Sequence, residues 1–295
     1  MPFSKWKTFG CSVRGASHVR KDKDNQDSLH TSQGMTTSGG YKATPSIIAV
    51  SDGHGGDKYV RSAKGSNIAV ATVAQVARDY LDLPLSSALS RTDLEDKIRH
   101  IKFRYLLSWQ KAVDEQIKLF PLNESELEFL KENCKTEIYD AVINNPRLTY
   151  GCTLLCAIAY HDLLLVLQLG DGDILGLYPD DQVRDLTISN SKNFANETMS
   201  LCSTTDASDI SHLILIGEDI PQLLTLTTDG VVNSFADVHD FHKIPVIIKN
   251  GLTENKNETA KVIESATKFL EKVTSEGAGD DVTLGVVFDT EFRKE

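Results

Sequence analysis

The stretch Ser46-Ile47-Ile48-Ala49-Val50-Ser51-Asp52-Gly53-His54-Gly55-Gly56 decides the fold of this chain. Its short apolar run, residues 47–50, is typical of a core strand. The strand delivers a carboxylate and an imidazole to one point, and the glycines that follow let the backbone approach a ligand closely. Asp-Gly alone also predicts a hairpin turn without chemistry. The choice between these two interpretations depends on the rest of the chain.

The composition is that of an ordinary folded protein. The 295 residues are 40% hydrophobic and 25% charged, which is enough apolar sequence for a sizeable core. No stretch approaches the ~18 consecutive apolar residues of a membrane span, and residues 1–6 lack the apolar region of a secretory signal. The sequence therefore predicts a cytoplasmic protein without a membrane partner.

Cysteine usage and net charge exclude further classes of protein. The five cysteines are an odd set without a Cys-x-x-Cys pair, which predicts reduced thiols rather than disulfides or zinc knuckles. The net charge of −11 argues against a nucleic-acid partner, because proteins that bind a phosphate backbone usually carry a basic surface.

Helical spacing is concentrated in the middle of the chain. It predicts helices over residues 59–81 and 93–120, and a third that opens at a capping box, Ser125-Glu126-Leu127-Glu128, and stops at Asn144-Asn145-Pro146. A later helix is expected to begin at Asn257.

Strand-like runs lie on both sides of this helical block. After the first strand they cover residues 153–160, 163–169, 174–178, 212–216, 223–228 and 282–288. Residues 34–44 are predicted to be a turn-forming connection and residues 180–209 to be strand edges and a long loop. Residues 245–248 fit neither pattern clearly. We predict a single α+β domain over residues 1–295, with a helical segment at about 83–146.

Several of the predicted strands begin or end at an aspartate. Four corners pair that acid with glycine, at Asp52-Gly53, Gly170-Asp171, Asp229-Gly230 and Gly279-Asp280, and Asp27 precedes another predicted strand. If these carboxylates meet, each like-charge pair at ~4 Å costs roughly 1–4 kcal/mol, so either some are protonated or a divalent cation lies among them. Oxygen ligands favour Mg²⁺ or Mn²⁺ over zinc. Periodicity alone does not show that the acids meet.

The ordered motifs resemble those of the metal-dependent Ser/Thr protein phosphatases of type 2C, in particular a divergent bacterial branch. The likeness runs from about Cys11 to Phe288 and rests on Asn25-Gln26-Asp27, Asp52-Gly53-His54-Gly55-Gly56, Gly151-Cys152-Thr153, Gly170-Asp171, Asp229-Gly230 and Gly279-Asp280-Asp281. The resemblance implies two antiparallel β-sheets packed as a sandwich and flanked by α-helices, a four-layer αββα fold, with two Mg²⁺ or Mn²⁺ ions at one end.

The same resemblance implies a role for each site residue. Asp52 would bridge both ions and Gly53 would offer its carbonyl to one of them. Asp229 and Asp280 would complete the shell of the other ion, while Asp27 would bind or orient the water shell of the second. Water between the cations becomes a hydroxide-like nucleophile. It would attack phosphoserine or phosphothreonine in a protein substrate, and His54 would protonate the leaving alkoxide.

Three departures from the family pattern concern this site. Gln26 stands where an acid is often found, which removes one negative charge from the second metal site. Asp22 occupies the position of an arginine that holds the substrate phosphate, so Arg20 becomes the nearest candidate, with Arg14 as the fallback. Asn233 replaces a second acid after Asp229. That replacement argues against a third cation held by Asp171 and Asp229.

Two other classes of function stay open at this point. A pseudophosphatase would keep the fold and bind a partner, and the residues at 22, 26 and 233 are compatible with that. A metal-dependent nuclease would need a basic surface. His18 and His161 are interpreted as structural or exposed rather than catalytic, and the Gly151-Cys152-Thr153 segment as strand packing. Residues 83–146 and 180–209 are the places where we expect substrate choice, and nothing in the sequence indicates an oligomeric state.

Overall fold

The computed structural model describes residues 4–35, 44–81, 90–188, 199–255 and 258–291. Ten strands lie in these ranges and form two five-stranded sheets in which every pairing is antiparallel. The first sheet has the order β1-β10-β9-β6-β7. Its strands are β1 (Trp6–Val13), β6 (Asp173–Leu177), β7 (Val183–Asp185), β9 (Leu223–Thr227) and β10 (Val282–Asp289).

The second sheet has the order β2-β3-β4-β5-β8. Its strands are β2 (Ser28–Ser32), β3 (Ser46–Ser51), β4 (Leu154–Tyr160), β5 (Leu163–Leu169) and β8 (Ser211–Ile216). The connection of β4 to β5 through residues 161–162 is the hairpin expected from the sequence, with Tyr160 opposite Leu163.

Nine α-helices occur in the described ranges. They are α1 (Ala16–Arg20), α2 (Ser62–Tyr80), α3 (Arg91–Leu119), α4 (Glu124–Asn133), α5 (Thr136–Asn144), α6 (Asp229–Val232), α7 (Val238–Phe241), α8 (Ile244–Glu254) and α9 (Thr259–Glu276). None of these helices is both long enough and apolar enough to cross a membrane.

Three apolar clusters separate four layers. On β3, Ile47 and Ala49 pack with α2 and α3, whereas Ile48 and Val50 pack against the other sheet, because successive side chains of a strand point to opposite faces. A third cluster joins the first sheet to α8 and α9. All six residues of β3 are buried, since this strand has a packed layer on each face. The αββα sandwich predicted by the resemblance is confirmed.

The N-terminus of α4 differs from its prediction. The helix expected to open at Ser125 and Glu128 instead begins at Glu124, with Asn123 and Glu126 as its capping box. Asn123 Oδ1 accepts from the Glu126 amide, and Glu126 Oε2 accepts from the Asn123 amide, each at 2.9 Å. Both pairs have the spacing of a capping box, so the pattern did not distinguish them.

The helical block contains two helices where one was predicted. Cys134 and Lys135 both have extended backbone, with ψ of 150° and 151°, and divide α4 from α5. Neither glycine nor proline marks the break, and the apolar spacing continues across it, so the local sequence gives no sign of it. Residues 245–248 lie in α8. Asn257 and residues 36–43 and 189–198 lie outside the described part of the chain, so the predictions for them stay untested.

Arg61, just before α2, attaches the helical block to the strand end that carries Asp52. It is 5% exposed and donates to Glu126 at 2.7 Å through both Nε and Nη2. Its remaining bonds go to the carbonyls of Phe120 and Pro121 and to the Tyr150 hydroxyl. A planar guanidinium suits this fork of acceptors, and lysine cannot reproduce it.

Replacing Arg61 with alanine is therefore expected to lower the free energy of unfolding by roughly 3 kcal/mol, since the buried guanidinium and its contacts are lost and the half-buried Glu126 carboxylate loses its partner. Urea unfolding measures the loss. The matched control is Arg99→Ala, which removes an exposed pair with Asp96 and should change stability by less than about 1 kcal/mol. Equal losses in the two variants would contradict this role of Arg61.

Candidate metal centre and active site

The turn after β3 is held by the segment that precedes β4. The Thr153 amide donates to Asp52 O at 2.8 Å, and the Asp52 amide donates to Thr153 Oγ1 at 2.9 Å. Next along the chain, the His54 amide donates to Gly151 O at 3.1 Å. Cys152 is fully buried and forms a bridge with Gly53. The Gly151-Cys152-Thr153 motif thus has the structural role expected for it.

Two glycines in this region are required by close packing. A Cβ on Gly53 would lie 2.6 Å from Gln26 O and 2.9 Å from Ser62 O. A Cβ on Gly151 would lie 2.2 Å from the Tyr59 ring and 2.9 Å from the His54 ring. Backbone atoms cannot yield at such distances, so Gly53 has to be glycine for its backbone to reach the edge of the acid cluster.

Asp27 is buried at the point where the two sheets meet. Its Oδ2 accepts from Thr228 Oγ1 at 2.8 Å and from Thr283 Oγ1 at 2.7 Å. Burial raises the pKa of Asp27 to about 8, the two hydroxyls act in the opposite direction, and the charges of Asp281 and Asp280 add to the rise. A carboxylate in this position needs a cation, or a proton, to stay buried.

Asp52 and Asp229 meet across the sheets and share a side-chain hydrogen bond. Burial is the largest cause that raises the pKa of Asp52, followed by the charges of Asp27 and Asp229. Burial likewise raises the pKa of Asp229, whose Oδ2 also accepts from Asn233 Nδ2 at 3.0 Å. Asp52, directly after β3, and Asp229, the first residue of α6, therefore bring two carboxyl groups into one desolvated space, where both can be ionised only if a cation lies between them.

Asp280 lies on the solvent side of the cluster. Its side chain is 56% exposed, with Oδ1 3.7 Å from His18 Nε2, and the same oxygen accepts from the Asp281 amide at 2.9 Å. The charge of Asp280 contributes to the raised pKa values of Asp27, Asp52 and Asp229. The structure thus brings together four of the acids singled out from the sequence.

Asp281 has no role in the sequence analysis. In the structure it fixes the segment before β2 that leads to Asp27. Its buried carboxylate accepts from the amides of Gly15 and Gln26, each at 2.6 Å, and lies 2.9 Å from His18 Nδ1. His18, Asp280 and Asp281 each place one ligand atom within 4.8 Å of the others. Because three donors already occupy Asp281, we interpret Asp281 and His18 as supports for the Gly15–Gln26 segment rather than as metal ligands.

The tip between β5 and β6 contributes two further acids. Asp171 is exposed, and its charge acts on both Asp229 and His54. Asp173, opposite Thr227 in the sheet, was not predicted. Burial raises its pKa to about 7, with added repulsion from Asp185, Asp229 and Asp171. Asp173 Oδ2 and Thr227 Oγ1 are both buried without a hydrogen-bond partner among the described residues.

His54 lies beside the acid cluster with its ring against Tyr59, at 4.9 Å between ring centroids. Its Nε2 is buried and has no hydrogen-bond partner among the described residues. Burial lowers the pKa of His54, the charge of Asp171 raises it, and that of Lys58 lowers it. An anionic substrate near the ring would favour the protonated form, which is the form that can donate a proton.

The arginines near the site differ in whether their guanidinium groups already have hydrogen-bond or ion-pair partners. Arg14 Nη2 donates to His18 O at 3.2 Å and lies 3.5 Å from Asp22, whose φ of 50° turns the chain after α1. Within the described residues, Arg20 has neither an ion pair nor a hydrogen bond through its guanidinium. The Nη2 atom of Arg20 is 3.6 Å from the point where a Cβ would stand on Gly279. Arg20 is therefore the arginine available at the rim of the cluster.

Gln26 does not take the place of the missing acid. Its Nε2 donates to Ser62 Oγ at 2.5 Å and to His54 O at 3.4 Å. This amide ties the start of α2 to the turn that carries His54. Gln26 Oε1 is buried without a donor among the described residues.

The donor set fits divalent cations that prefer oxygen ligands. Asp27, Asp52, Asp229 and Asp280 converge, and within the described ranges none of them pairs with a lysine or an arginine. No lysine or arginine in the described part of the chain therefore offsets the burial and mutual repulsion of these carboxylates. Carboxylates with this chemistry suit Mg²⁺ or Mn²⁺ and do not suit a thiolate-preferring metal.

Comparisons with known proteins agree with this geometry. A family model described as protein phosphatase 2C matches residues 14–265. No curated protein sequence matches significantly. Among solved structures, the catalytic domain of the serine threonine protein phosphatase PstP in complex with two manganese ions superposes with a TM-score of 0.54 at 16% identity, covering 96% of this chain and 97% of that one.

Two further solved structures show the same fold. The serine/threonine phosphatase PstP/Ppp of Mycobacterium tuberculosis has a TM-score of 0.54 at 15% identity, with 96% of this chain and 98% of that chain covered. Stp1 of Staphylococcus aureus, also a serine/threonine phosphatase, has a TM-score of 0.54 at 13% identity, with 96% and 94% covered. At these identities the structural likeness shows only the fold. The assignment to a family rests on the family model, which matches residues 14–265.

Proposed function

The chain belongs to the protein phosphatase 2C family, and from that premise we propose that it hydrolyses phosphoserine and phosphothreonine in proteins with the help of two divalent cations, Mg²⁺ or Mn²⁺. The observation that carries the proposal is the convergence of Asp27, Asp52 and Asp229 in a desolvated space without a lysine or arginine partner among the described residues. Buried carboxylates in that state are suited to hold cations.

The acids would divide the cations between them as follows. Asp52 would contact both, with Asp229 and Asp280 on one side and the Gly53 carbonyl and Asp27 on the other. Bound cations would supply a hydroxide nucleophile at neutral pH, because coordination lowers the pKa of water toward 7. A third cation would need Asp171 together with Asp229, and the bond from Asn233 to Asp229 argues against it, because it takes up one of the oxygens that such an ion would use.

The remaining roles fall to residues that touch the substrate. Arg20, whose guanidinium has no ion-pair or hydrogen-bond partner in the described part of the chain, would hold the phosphate oxygens. His54 would donate a proton from Nε2 to the departing serine or threonine oxygen. The partner is accordingly a phosphorylated protein. We place the reaction in the cytoplasm, where the five cysteines, all free in the structure, would stay reduced.

The role of His54 predicts a dependence on the leaving group. His54→Ala should lower kcat for a phosphoserine peptide by roughly 10²–10³-fold, because an alkoxide needs a proton to leave. With p-nitrophenyl phosphate the loss should be less than about 10-fold, since nitrophenolate leaves without one. Steady-state kinetics with Mn²⁺ on both substrates give the two ratios. Equal losses on the two substrates would show that His54 is not the proton donor.

A further inference from the structure

A groove of about 350 Å³ opens beside the acid cluster. One wall is the loop after α1 and another is the turn after β3 with the start of α2. The third wall is Phe129 of α4, which belongs to the helical block. Gln26 and Gly55 lie in the groove, and they are the direct neighbours of Asp27 and His54. A polypeptide with its phosphate at the acid cluster would therefore place its neighbouring side chains here.

The walls of the groove combine aromatic and acidic side chains. Phe129 is 41% exposed and shares the groove with Tyr59. Of the residues that line the groove, Asp22, Asp24 and Asp57 are acidic and Lys23 is basic. Lys58 lies over the Tyr59 ring, 4.7 Å from its centroid, which leaves Phe129 as the aromatic ring for a ligand. Asp22 already has Arg14 at 3.5 Å, whereas Asp24 and Asp57 form no ion pair with the described residues. A groove that combines carboxylates with an exposed aromatic ring provides the surroundings that a guanidinium or an ammonium group prefers.

The aromatic wall is held in place by contacts already described. Glu126 and Phe129 are three residues apart on α4, so their side chains neighbour each other on the helix surface. Glu126 is fixed by the two bonds from Arg61, and Arg61 adjoins the turn that carries His54. The charge of Asp57 also acts on Cys134 at the end of α4. The helical block is thus anchored at the edge of the active site with Phe129 in the groove.

We propose that this groove is a subsite for an arginine or lysine that lies close to the phosphoresidue in the substrate polypeptide. The basic side chain would stack on Phe129 and pair with Asp57 and Asp24. This rests on the proposed phosphatase function and adds a class of substrate to it, namely phosphorylated segments with a basic flanking residue. It also assigns a part in substrate choice to the helical block.

Matched phosphoserine peptides test this subsite. Each carries arginine or glutamate at one position on either side of the phosphoserine and alanine elsewhere. For at least one position, kcat/KM with Mn²⁺ should favour arginine over glutamate by about tenfold. Phe129→Ala should reduce that ratio toward one, and Asp57→Lys should invert it. A general loss of stability would lower both rates together and leave the ratio unchanged.

Phe103→Ala is the matched control, because Phe103 is an exposed phenylalanine of α3 (51% exposed) that does not line the groove. It should keep the arginine preference of the unaltered protein. The subsite is refuted if the unaltered protein treats both peptide series alike, or if Phe129→Ala keeps the full preference. Failure of the phosphatase function would look different, since p-nitrophenyl phosphate would then not be hydrolysed in any variant.

Discussion

Asp52→Asn is expected to lower Mn²⁺-dependent hydrolysis of p-nitrophenyl phosphate by about 10³-fold or more, because the variant removes the carboxylate proposed to contact both cations. Asp52 lies at the end of a strand that is buried along its whole length, and its turn is fixed by Thr153. No neighbouring acid can move into its place without breaking that packing. Rates at saturating Mn²⁺ for the variant and the unaltered protein give the ratio.

The same variant should have an opposite effect on the metal-free protein. Asparagine removes a carboxyl group that, without metal, must either be ionised beside Asp27 and Asp229 or take up a proton against its ordinary pKa. Both cost free energy, so the melting temperature without metal should rise. Added Mn²⁺ should then stabilise the variant less than the unaltered protein. Asp96→Asn, an exposed replacement on α3, should change neither activity nor melting temperature. Equal background hydrolysis by the unaltered protein and Asp52→Asn would instead favour a pseudophosphatase that binds a partner.

The metal-free protein is expected to lose stability as the pH rises from about 5 to about 8. The pKa of Asp27 rises from 3.8 in a model compound to about 8 in the fold. Between these two values the folded state keeps a proton that the unfolded state releases, so the free energy of unfolding falls with increasing pH. Each unit of pKa difference corresponds to about 1.4 kcal/mol. Asp52, Asp173 and Asp229 are shifted in the same direction.

Mn²⁺ should reverse most of this loss at the higher pH, because it favours the ionised carboxylates. Urea unfolding followed by tryptophan fluorescence reports it, since Trp6 and Trp109 are both buried. The experiment is repeated with and without chelator across the pH range. Stability that stays constant or increases with pH in chelator would mean that the acids are not buried together as described.

Most strand positions could be predicted because their apolar runs are local signals, but β1 and β7 were not among the predicted strands. The apolar run of β3 and the hairpin at residues 161–162 both follow from short patterns, and the sandwich followed from the resemblance. The break between α4 and α5 could not be predicted, because the apolar spacing continues across Cys134 and Lys135. The cap at Asn123 could not be predicted either. It depends on Glu126, whose side chain is also held by Arg61, a residue distant in the sequence. The assignment of the whole chain to one domain stays a prediction.

The site was predictable to the extent that its acids stand beside glycines at strand ends. Family membership confirms the recognition made from those motifs and the enzyme class that it implied. Asp173 was missed because its burial depends on pairing with Thr227 on a distant strand. Asp281 was missed because its three partners come from residues 15–26, far away in sequence. Each missed acid follows closely on one that was singled out, in Gly170-Asp171-Gly172-Asp173 and in Asp280-Asp281. These two motifs were the sequence signals that could have indicated them.

A crystal structure of the protein grown with Mn²⁺, with anomalous scattering measured at the manganese edge, tests the central claim most directly. We expect two manganese peaks in the acid cluster, one bound by Asp52, Asp229 and Asp280, and the other by Asp52 and the Gly53 carbonyl near Asp27. Anomalous density that is absent from these carboxylates at saturating Mn²⁺ would contradict the proposed dimetal centre.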